Sequence, residues 1–285
     1  MTEILIATCD DRIKLDRSDT LLQGAFIRSE VEVTVLPWRH SSFWPVAVKS
    51  DAVVIRSVWD YPAHLNEFKK WIEELSHKNI RVFNSSQLLK WNIDKHYLLE
   101  LKRYGARIPR TFPVKSVGDL AEAFEVIQDN VGVIKPCFGG SGRDVEKVNL
   151  ADAQSYLIRK QYNNHSFLLQ EMLPEISKGE LSFVFIGGVH THTVRSKPVK
   201  GEFRVNSQYG ISDISLFKAP NAFVKQAASI MNMLPYPPTY ARIDCVVRDG
   251  QLICLEIETI DPTLFMNLFP KSAEQLAEAI LSDIQ

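Results

Sequence analysis

The sequence predicts an α/β (α+β) protein in which a small parallel sheet is followed by a larger, strand-rich unit. Two patterns carry this. Over residues 3–88, short apolar or β-branched runs alternate with segments of helical spacing. From Leu181 onward, strand-like runs dominate and are joined by turns. At 285 residues with 45% hydrophobic and 24% charged side chains, the chain is long enough for two domains, each with its own core. The expected division is an N-terminal domain at 1–88 and a second domain at 89–285, with a subdomain at about 106–170.

In the first domain, strands are expected at Ile4–Ala7, Val31–Leu36, Ala52–Ile55 and Ile80–Phe83, and Leu65, Phe68, Ile72 and Leu75 share one helical face. Parallel sheets take ligands at the carboxyl ends of their strands. At one such end stands Arg56-Ser-Val-Trp-Asp-Tyr-Pro62. Arg56 could grip a carboxylate and Asp60 an amine, with Trp59 beside them, which makes a pocket for a small zwitterion. Equally, Trp59 and Tyr61 could cover the sheet edge while Arg56 pairs with Asp60.

The second domain opens with a helix over Leu88–Tyr104, ended by Gly105. Then follow Arg110–Pro113, a helix around Val117–Gln128, a strand Gly132–Pro136, the loop Phe138–Arg143, a strand Val145–Val148, a helix near Ala151–Lys160 and a strand Phe167–Glu171. Further strands are expected at Leu181–Ile186, His190–Ser196, Ala241–Val247 and Leu252–Glu258. A helix near Asn221–Met231 interrupts them, and Ser272 opens a last helix, Ala273–Ile284.

A net charge of −1 leaves no electrostatic footprint for nucleic acid or an anionic membrane, so an anionic ligand would be held by local cations. The N-terminus has an acid at position 3 and no basic flank, which does not read as a signal peptide, and no run reaches membrane-spanning length. Four cysteines without a C-x-x-C pair point to reduced thiols in the cytoplasm. His190 and His192 could share a strand face, but no third metal ligand stands near them in sequence.

Several residues could carry chemistry. Gly139, Gly140, Ser141 and Gly142 can turn sharply and aim several N–H groups at one oxyanion, although the loop joins two strands and lacks the Walker pattern. Lys95 and Lys135 flank it and could follow phosphates as point charges. The strand ending at Gln170-Glu171-Met172-Leu173 could read a base edge through the main chain of Glu171 and Leu173, and Glu180 could accept from ribose hydroxyls. Arg195 and Arg204 bracket a loop, with Asn206 beyond it, and suit a transferred phosphoryl group or a surface ion pair. Asp244, Glu256 and Glu258 alternate along two strands and are costly to bury unless a cation sits among them.

In this order, these features resemble the ATP-grasp superfamily, and within it the glutathione-synthetase-like branch, over roughly residues 89–270. A narrower likeness, carried by Arg56–Pro62 and by Glu256-x-Glu-x-Ile-Asp-Pro-Thr-Leu-Phe265, is to the cyclo-ligases that form D-cycloserine from O-ureido-serine. The resemblance implies an ATP-grasp fold behind a small pre-ATP-grasp domain, with 106–170 as a lid. It implies ATP as co-substrate, held by Lys95, Lys135, the glycine loop, Gln170, Glu171, Leu173 and Glu180. It further implies Arg195 and Arg204 at the transferred phosphate, and Mg²⁺, as two ions for which Mn²⁺ could substitute, on Asp244, Glu256 and Glu258. Glu258 departs from the branch, where asparagine is the last ligand.

The implied chemistry is ADP-forming ligation, in which a substrate carboxylate becomes an acyl phosphate that a nitrogen nucleophile captures. Arg56, Trp59, Asp60 and Asn206 are the expected substrate contacts, for a small amino acid or derivative, by coupling or by ring closure. The alternatives are a nucleotide-binding module without turnover and a bicarbonate-activating enzyme. The family habit of homo-oligomers transfers only by analogy. Two Mg²⁺ contribute about +4 against roughly −4 from ATP and −3 from the acids, which leaves about −3 for Lys95, Lys135, Arg195 and Arg204 to offset. The reading also requires a register. A two-residue turn at Asp249-Gly250 with regular strands would put Glu256 on the wrong face, so either a three-residue loop or a bulge must realign it.

Overall fold

The computed structural model describes residues 1–12, 14–127, 130–160 and 166–284. The four N-terminal apolar runs form β1 (Glu3–Thr8), β2 (Glu32–Pro37), β3 (Ala52–Ser57) and β4 (Val82–Phe83), in the order β2-β1-β3-β4. The pairs β1–β2, β1–β3 and β3–β4 are all parallel. β1 and β3 are central and buried on both faces, which is why they read as unbroken apolar runs. The helices beside them are α1 (Arg17–Arg28), α2 (Phe43–Ala47) and α3 (Leu65–His77). α3 buries the expected Phe68, Ile72 and Leu75, together with Trp71, against Leu5, Val53 and Ile55.

The single helix expected over Leu88–Tyr104 is instead two, α4 (Ser86–Asn92) and α5 (Tyr97–Arg103), separated by a turn that carries Lys95. The chain breaks there because Asn92 and Tyr97 satisfy a sheet edge. Asn92 Nδ2 and Tyr97 Oη donate to the Ile257 carbonyl at 2.8 and 2.9 Å, and the same two side chains accept from Thr259 N–H and Ile257 N–H. Four hydrogen bonds to an otherwise open strand edge outweigh continued helix.

The middle of the chain makes an antiparallel sheet from β5 (Thr111–Val114), β6 (Gly132–Pro136), β7 (Glu146–Val148) and β8 (Phe167–Glu171), in the order β5-β8-β6-β7. With α6 (Val117–Val126) and α7 (Leu150–Arg159) it closes a separate core around Leu120, Phe124, Ile134, Tyr156 and Leu169. Ser116 and Asp119 form a capping box that starts α6. Its expected end at Gln128 lies outside the described residues.

The third sheet comprises β9 (Glu180–Ile186), β10 (Val189–Pro198), β11 (Ile211–Leu216), β12 (Tyr240–Arg248) and β13 (Gln251–Glu258), in the order β11-β10-β9-β12-β13. β11 is a strand that the sequence reading missed. It is an edge whose residues alternate between half-buried and exposed, so its apolar signal is weak. α8 (Asn221–Met231) packs on this sheet, while α9 (Lys271–Ile284) packs on α1. α9 begins one residue before Ser272, whose hydroxyl donates to the Phe269 carbonyl at 2.6 Å rather than standing as the cap. Val184, Ile186 and Tyr240 of the third sheet share one core with Ile4, Ile6 and Val54 of the first.

Arg56 fastens the two ends of the chain. It is 2% exposed; Nε donates to Asp19 Oδ1 and Nη2 to the Pro262 carbonyl, both at 2.8 Å, and the guanidinium lies 5.1 Å from the centre of the Tyr240 ring. Ser57 Oγ donates to Asp19 Oδ2 at 2.6 Å. The expectation that Arg56 grips a substrate carboxylate is therefore corrected: the side chain is buried, Nε and Nη2 are bonded inside the protein, and it does not line the cavities described below. Arg56 does not pair with Asp60 either. Replacing it with alanine strands Asp19 as a buried, unpaired charge, and Arg56→Ala should lower unfolding stability by about 3–5 kcal/mol in a denaturant titration. A loss under about 1 kcal/mol would show that the clamp is not structural.

Candidate active site

The hairpin of β12 and β13 has the two-residue turn. Arg248 pairs with Gln251, and Asp249 and Gly250 hold φ of 52° and 71°. The register then shifts: Cys245 pairs with Cys254 but Asp244 pairs with Glu256, which leaves Leu255 as an extra residue in β13. That bulge is the device the sequence required. It brings Asp244, Glu256 and Glu258 to one face of the sheet together with Arg242, because directly paired residues share a face.

On that face Arg242 lies between two acids, 2.9 Å from Asp244 and 2.7 Å from Glu258. Ser182 Oγ donates to Asp244 Oδ1 at 2.7 Å. Lys95, 8% exposed, donates to Glu256 from the turn between α4 and α5. Glu256 stays below the ordinary carboxylate range despite its burial because Lys95 and Lys135 face it. Burial, and then Asp244 and Glu256 working against Arg242, push the Glu258 carboxyl up to about 8. Glu180, two residues before Ser182 on β9, is raised as well, by burial and by Asp244. An all-oxygen set of hard donors under this mutual repulsion fits Mg²⁺ or Mn²⁺, and Asp244, Glu256 and Glu258 are the residues that could hold them.

The opposite wall comes from the middle sheet. Lys135 on β6 is 7% exposed, and burial draws its ammonium down to about 8 although Glu256 pulls the other way. The glycine loop follows. Gly142 has φ +67, and a Cβ there would come within 3.1 Å of the Tyr209 ring, so glycine suits both the turn and the close approach. Tyr209 Oη donates to the Gly142 carbonyl at 3.0 Å, Arg204 Nη1 to the Val145 carbonyl at 3.2 Å, and the Arg204 guanidinium lies 3.5 Å from the centre of the Tyr209 ring. Glu202 holds Arg204 through both carboxylate oxygens, which lowers its own pKa to about 2.

Between these walls lies a cavity of about 190 Å³ lined by Lys95, Lys135, Gly139, Gly140, Ser141, Gly142, Gln170, Glu171, Leu173, Glu180, Arg204, Asn206, Asp244, Glu256 and Glu258. All expected ATP and metal contacts thus meet around one space, together with Arg204 and Asn206. Two details differ from expectation. Gln170 Nε2 donates to Thr111 Oγ1 at 2.8 Å, and the Glu171 N–H is taken by the Arg110 carbonyl at 3.0 Å. Leu173 and the Glu171 carbonyl remain the main-chain groups that could meet a base.

Arg195 is a correction. In β10 it pairs with Leu181, which pairs through β12 with Cys245, so it sits on the face opposite Asp244. There it stacks 5.5 Å from Phe217 and lies 3.8 Å from Asp213, and it does not line the cavity. Arg242 lines the cavity instead, together with Arg204. Its signal was its spacing: two residues from Asp244, it must share that face.

A second cavity of about 170 Å³ adjoins the first and shares Lys95, Asn206, Arg242, Glu256 and Glu258 with it. Trp59 and Tyr61 line it as well. Asp60 does not: its carboxylate accepts from Trp38 Nε1 at 2.7 Å and lies 3.6 Å from Arg39, so the expected amine contact is corrected too. A further acid that lines this cavity is Asp261, whose buried Oδ2 has no hydrogen-bond partner among the described residues and whose carboxyl burial raises to about 7. It lies in a loop without periodicity, so pattern alone did not mark it. The half-buried His190 bonds to Thr193 Oγ1 and the buried His192 to the Leu264 carbonyl. No described helix is long and apolar enough to cross a membrane.

The chain is similar in sequence and fold to known proteins. Residues 4–84 match the family model of the D-cycloserine synthetase DcsG N-terminal domain, and residues 97–220 match that of the prokaryotic glutathione synthetase ATP-grasp domain. The cycloserine biosynthesis protein DcsG of Streptomyces lavendulae is 26% identical over 253 residues, 81% of this chain and 82% of that protein. A crystal structure of D-cycloserine synthetase DcsG superposes with a TM-score of 0.89 at 21% identity, covering 99% of this chain and 100% of that one. The D-alanine–D-alanine ligase of Bacillus anthracis superposes with 0.71 at 15% identity, covering 100% and 97%. The fold is ATP-grasp.

The two arginines separate by experiment. Arg242→Ala should lower kcat/KM for ATP at least a hundredfold, whereas Arg195→Ala should change it less than about threefold in steady-state kinetics, each tenfold corresponding to about 1.4 kcal/mol. The reverse order would return the catalytic role to Arg195.

Proposed function

We propose that this chain is an ATP-grasp carboxylate–amine ligase that uses ATP and Mg²⁺ to convert the carboxylate of a small amino acid or derivative into an acyl phosphate, which a nitrogen nucleophile captures as a C–N bond. The observation that carries this reading is the pair of adjoining cavities. Both are bordered by Lys95, Arg242 and the glycine loop, the first also by Lys135 and Arg204, the second by Asp261 with its unbonded Oδ2, and they meet at Arg242, Glu256 and Glu258.

Lys95 and Lys135 would hold the phosphates, the loop from Gly139 to Gly142 would close over them, Glu171 and Leu173 would meet the base, and Glu180 the ribose. Magnesium, as two ions for which manganese could substitute, would be held by Asp244, Glu256 and Glu258 and would neutralise charge on the phosphate oxygens. Arg204 and Arg242 stand in the same cavity, and with the two lysines they supply enough positive charge to offset the remaining charge of about −3. No protein nucleophile is required. The side chains position the carboxylate in line with the terminal phosphate and keep water out.

The second cavity suits a zwitterion. Asp261 would receive an ammonium group in place of its missing hydrogen bond, with Trp59 and Tyr61 as walls and Asn206 at the junction. The likeness to D-cycloserine synthetase along most of the chain supports ring closure of an amino-acid derivative over coupling of two molecules.

The test is ADP release from ATP and Mg²⁺ in the presence of pooled amino acids and amino-acid derivatives, with mass spectrometry of the products. The expected result is substrate-dependent ADP and one product formed with loss of water. Asp261→Asn should raise the substrate KM at least tenfold while leaving the ATP KM within about twofold. ATP binding with no substrate-stimulated ADP release across the panel would overturn the ligase reading, and bicarbonate-dependent release would point to a carboxylase.

A further inference from the structure

Outside the cavities just described, three ligating side chains come together where the turn carrying Lys95 meets the base of the glycine loop. Asp94, His96 and Cys137 each offer a ligand atom, all within 4.8 Å of one another. Asp94 Oδ1 lies 2.7 Å from His96 Nδ1, and His96 Nε2 lies 3.6 Å from Cys137 Sγ. A tetrahedral zinc ion, with Zn–N of about 2.0–2.1 Å and Zn–S of about 2.3 Å, would set its nitrogen and sulfur donors about 3.6 Å apart. The histidine and cysteine therefore already have the separation of two zinc ligands. A carboxylate on the far imidazole nitrogen is the usual device that fixes the tautomer and aims the metal-binding nitrogen.

We propose that Asp94, His96 and Cys137 form a binding site for a soft divalent cation of the zinc class, separate from the Mg²⁺ site. Its donors are His96 Nε2 and Cys137 Sγ; Asp94 either orients the imidazole or ligates directly, and water completes the tetrahedron. Backbone bonds on both sides hold Cys137 in place: its N–H donates to the Ser166 carbonyl, and its carbonyl accepts from the Lys95 N–H, both at 2.9 Å. The ion has a route in, because the His96 and Asp94 side chains are 30% and 38% exposed although Cys137 is buried. On binding, the cation takes the place of the thiol proton, which leaves to solvent, and no group changes oxidation state. Donor type separates the two sites: thiolate and imidazole favour zinc, whereas the three carboxylates favour magnesium. An ion here would tie the Lys95 turn to Cys137, two residues after Lys135 and immediately before the glycine-containing loop.

The test uses the whole chain with Mg²⁺ in excess, so that the hard-oxygen site is filled. Zn²⁺ retention is measured by dialysis and metal analysis, and Co²⁺ is used as a spectroscopic substitute. The proposal expects one Zn²⁺ per chain and a thiolate-to-cobalt charge-transfer band. Cys137→Ser and the half-exposed His96→Gln should each weaken Zn²⁺ binding at least tenfold, and Asp94→Asn about 10–100-fold, with unchanged circular dichroism. Absence of the thiolate band, or equal Zn²⁺ retention in the native chain and in Cys137→Ser and His96→Gln, would overturn it and leave the Cys137–His96 contact as a hydrogen bond only. None of these readouts depends on ligase turnover.

Discussion

The structure depends on one extra residue in an edge strand. Leu255 is the bulge that lets a tight Asp249-Gly250 turn coexist with a face carrying Asp244, Glu256 and Glu258. Without it, the strict period of two along a strand would send Glu256 and Glu258 into the apolar face occupied by Cys245 and Ile243, where an unpaired carboxylate is costly. With it, three acids crowd together and must be offset. Arg242, Lys95 and Lys135 answer from three separate segments. The cavity and its charge follow from that balance.

Position is then fixed by buried polar links into the strands that carry the site, some from the N-terminal sheet and some from α4 and α5. The Asn84 amide donates to the Tyr240 and Thr259 carbonyls at 2.8 and 2.7 Å, at the first residue of β12 and just beyond β13. Tyr240 Oη reaches the carbonyls of Ile55, Phe83 and Ile260. Asn92 and Tyr97 hold Ile257 between the two glutamates. Each link satisfies groups that would otherwise be buried unpaired. The N-terminal domain thus helps to set where the acids stand, as well as lending Trp59 and Tyr61 to the second cavity.

Much of this was legible in the sequence, for reasons that are themselves physical. Alternating apolar runs announced β1 to β4, and the spacing of the three acids, combined with the parity of a short turn, demanded a loop or a bulge. Arg195 and Arg56 were misread for opposite reasons. Arg195 lies in a strand whose parity against β12 is set by long-range pairing, which no local pattern reveals. Arg56 lies within a fully buried strand, and its partners, Asp19 and Pro262, are far away in sequence. Asp261, Tyr209 and the Cys137–His96 contact likewise meet their neighbours only through the tertiary fold. The helix break at Lys95 was invisible because the competing partner was a strand edge some 160 residues away.

The claim that the bulge makes Asp244 and Glu256 serve one cation is tested most directly by a double-mutant cycle on Mg²⁺-dependent ATP affinity, measured calorimetrically for Asp244→Asn, Glu256→Gln and the pair. If both carboxylates hold the same metal, the double variant should lose about as much affinity as the worse single variant, a coupling of roughly 1–3 kcal/mol. Losses that simply add, or single variants that keep their full Mg²⁺ dependence, would contradict the account.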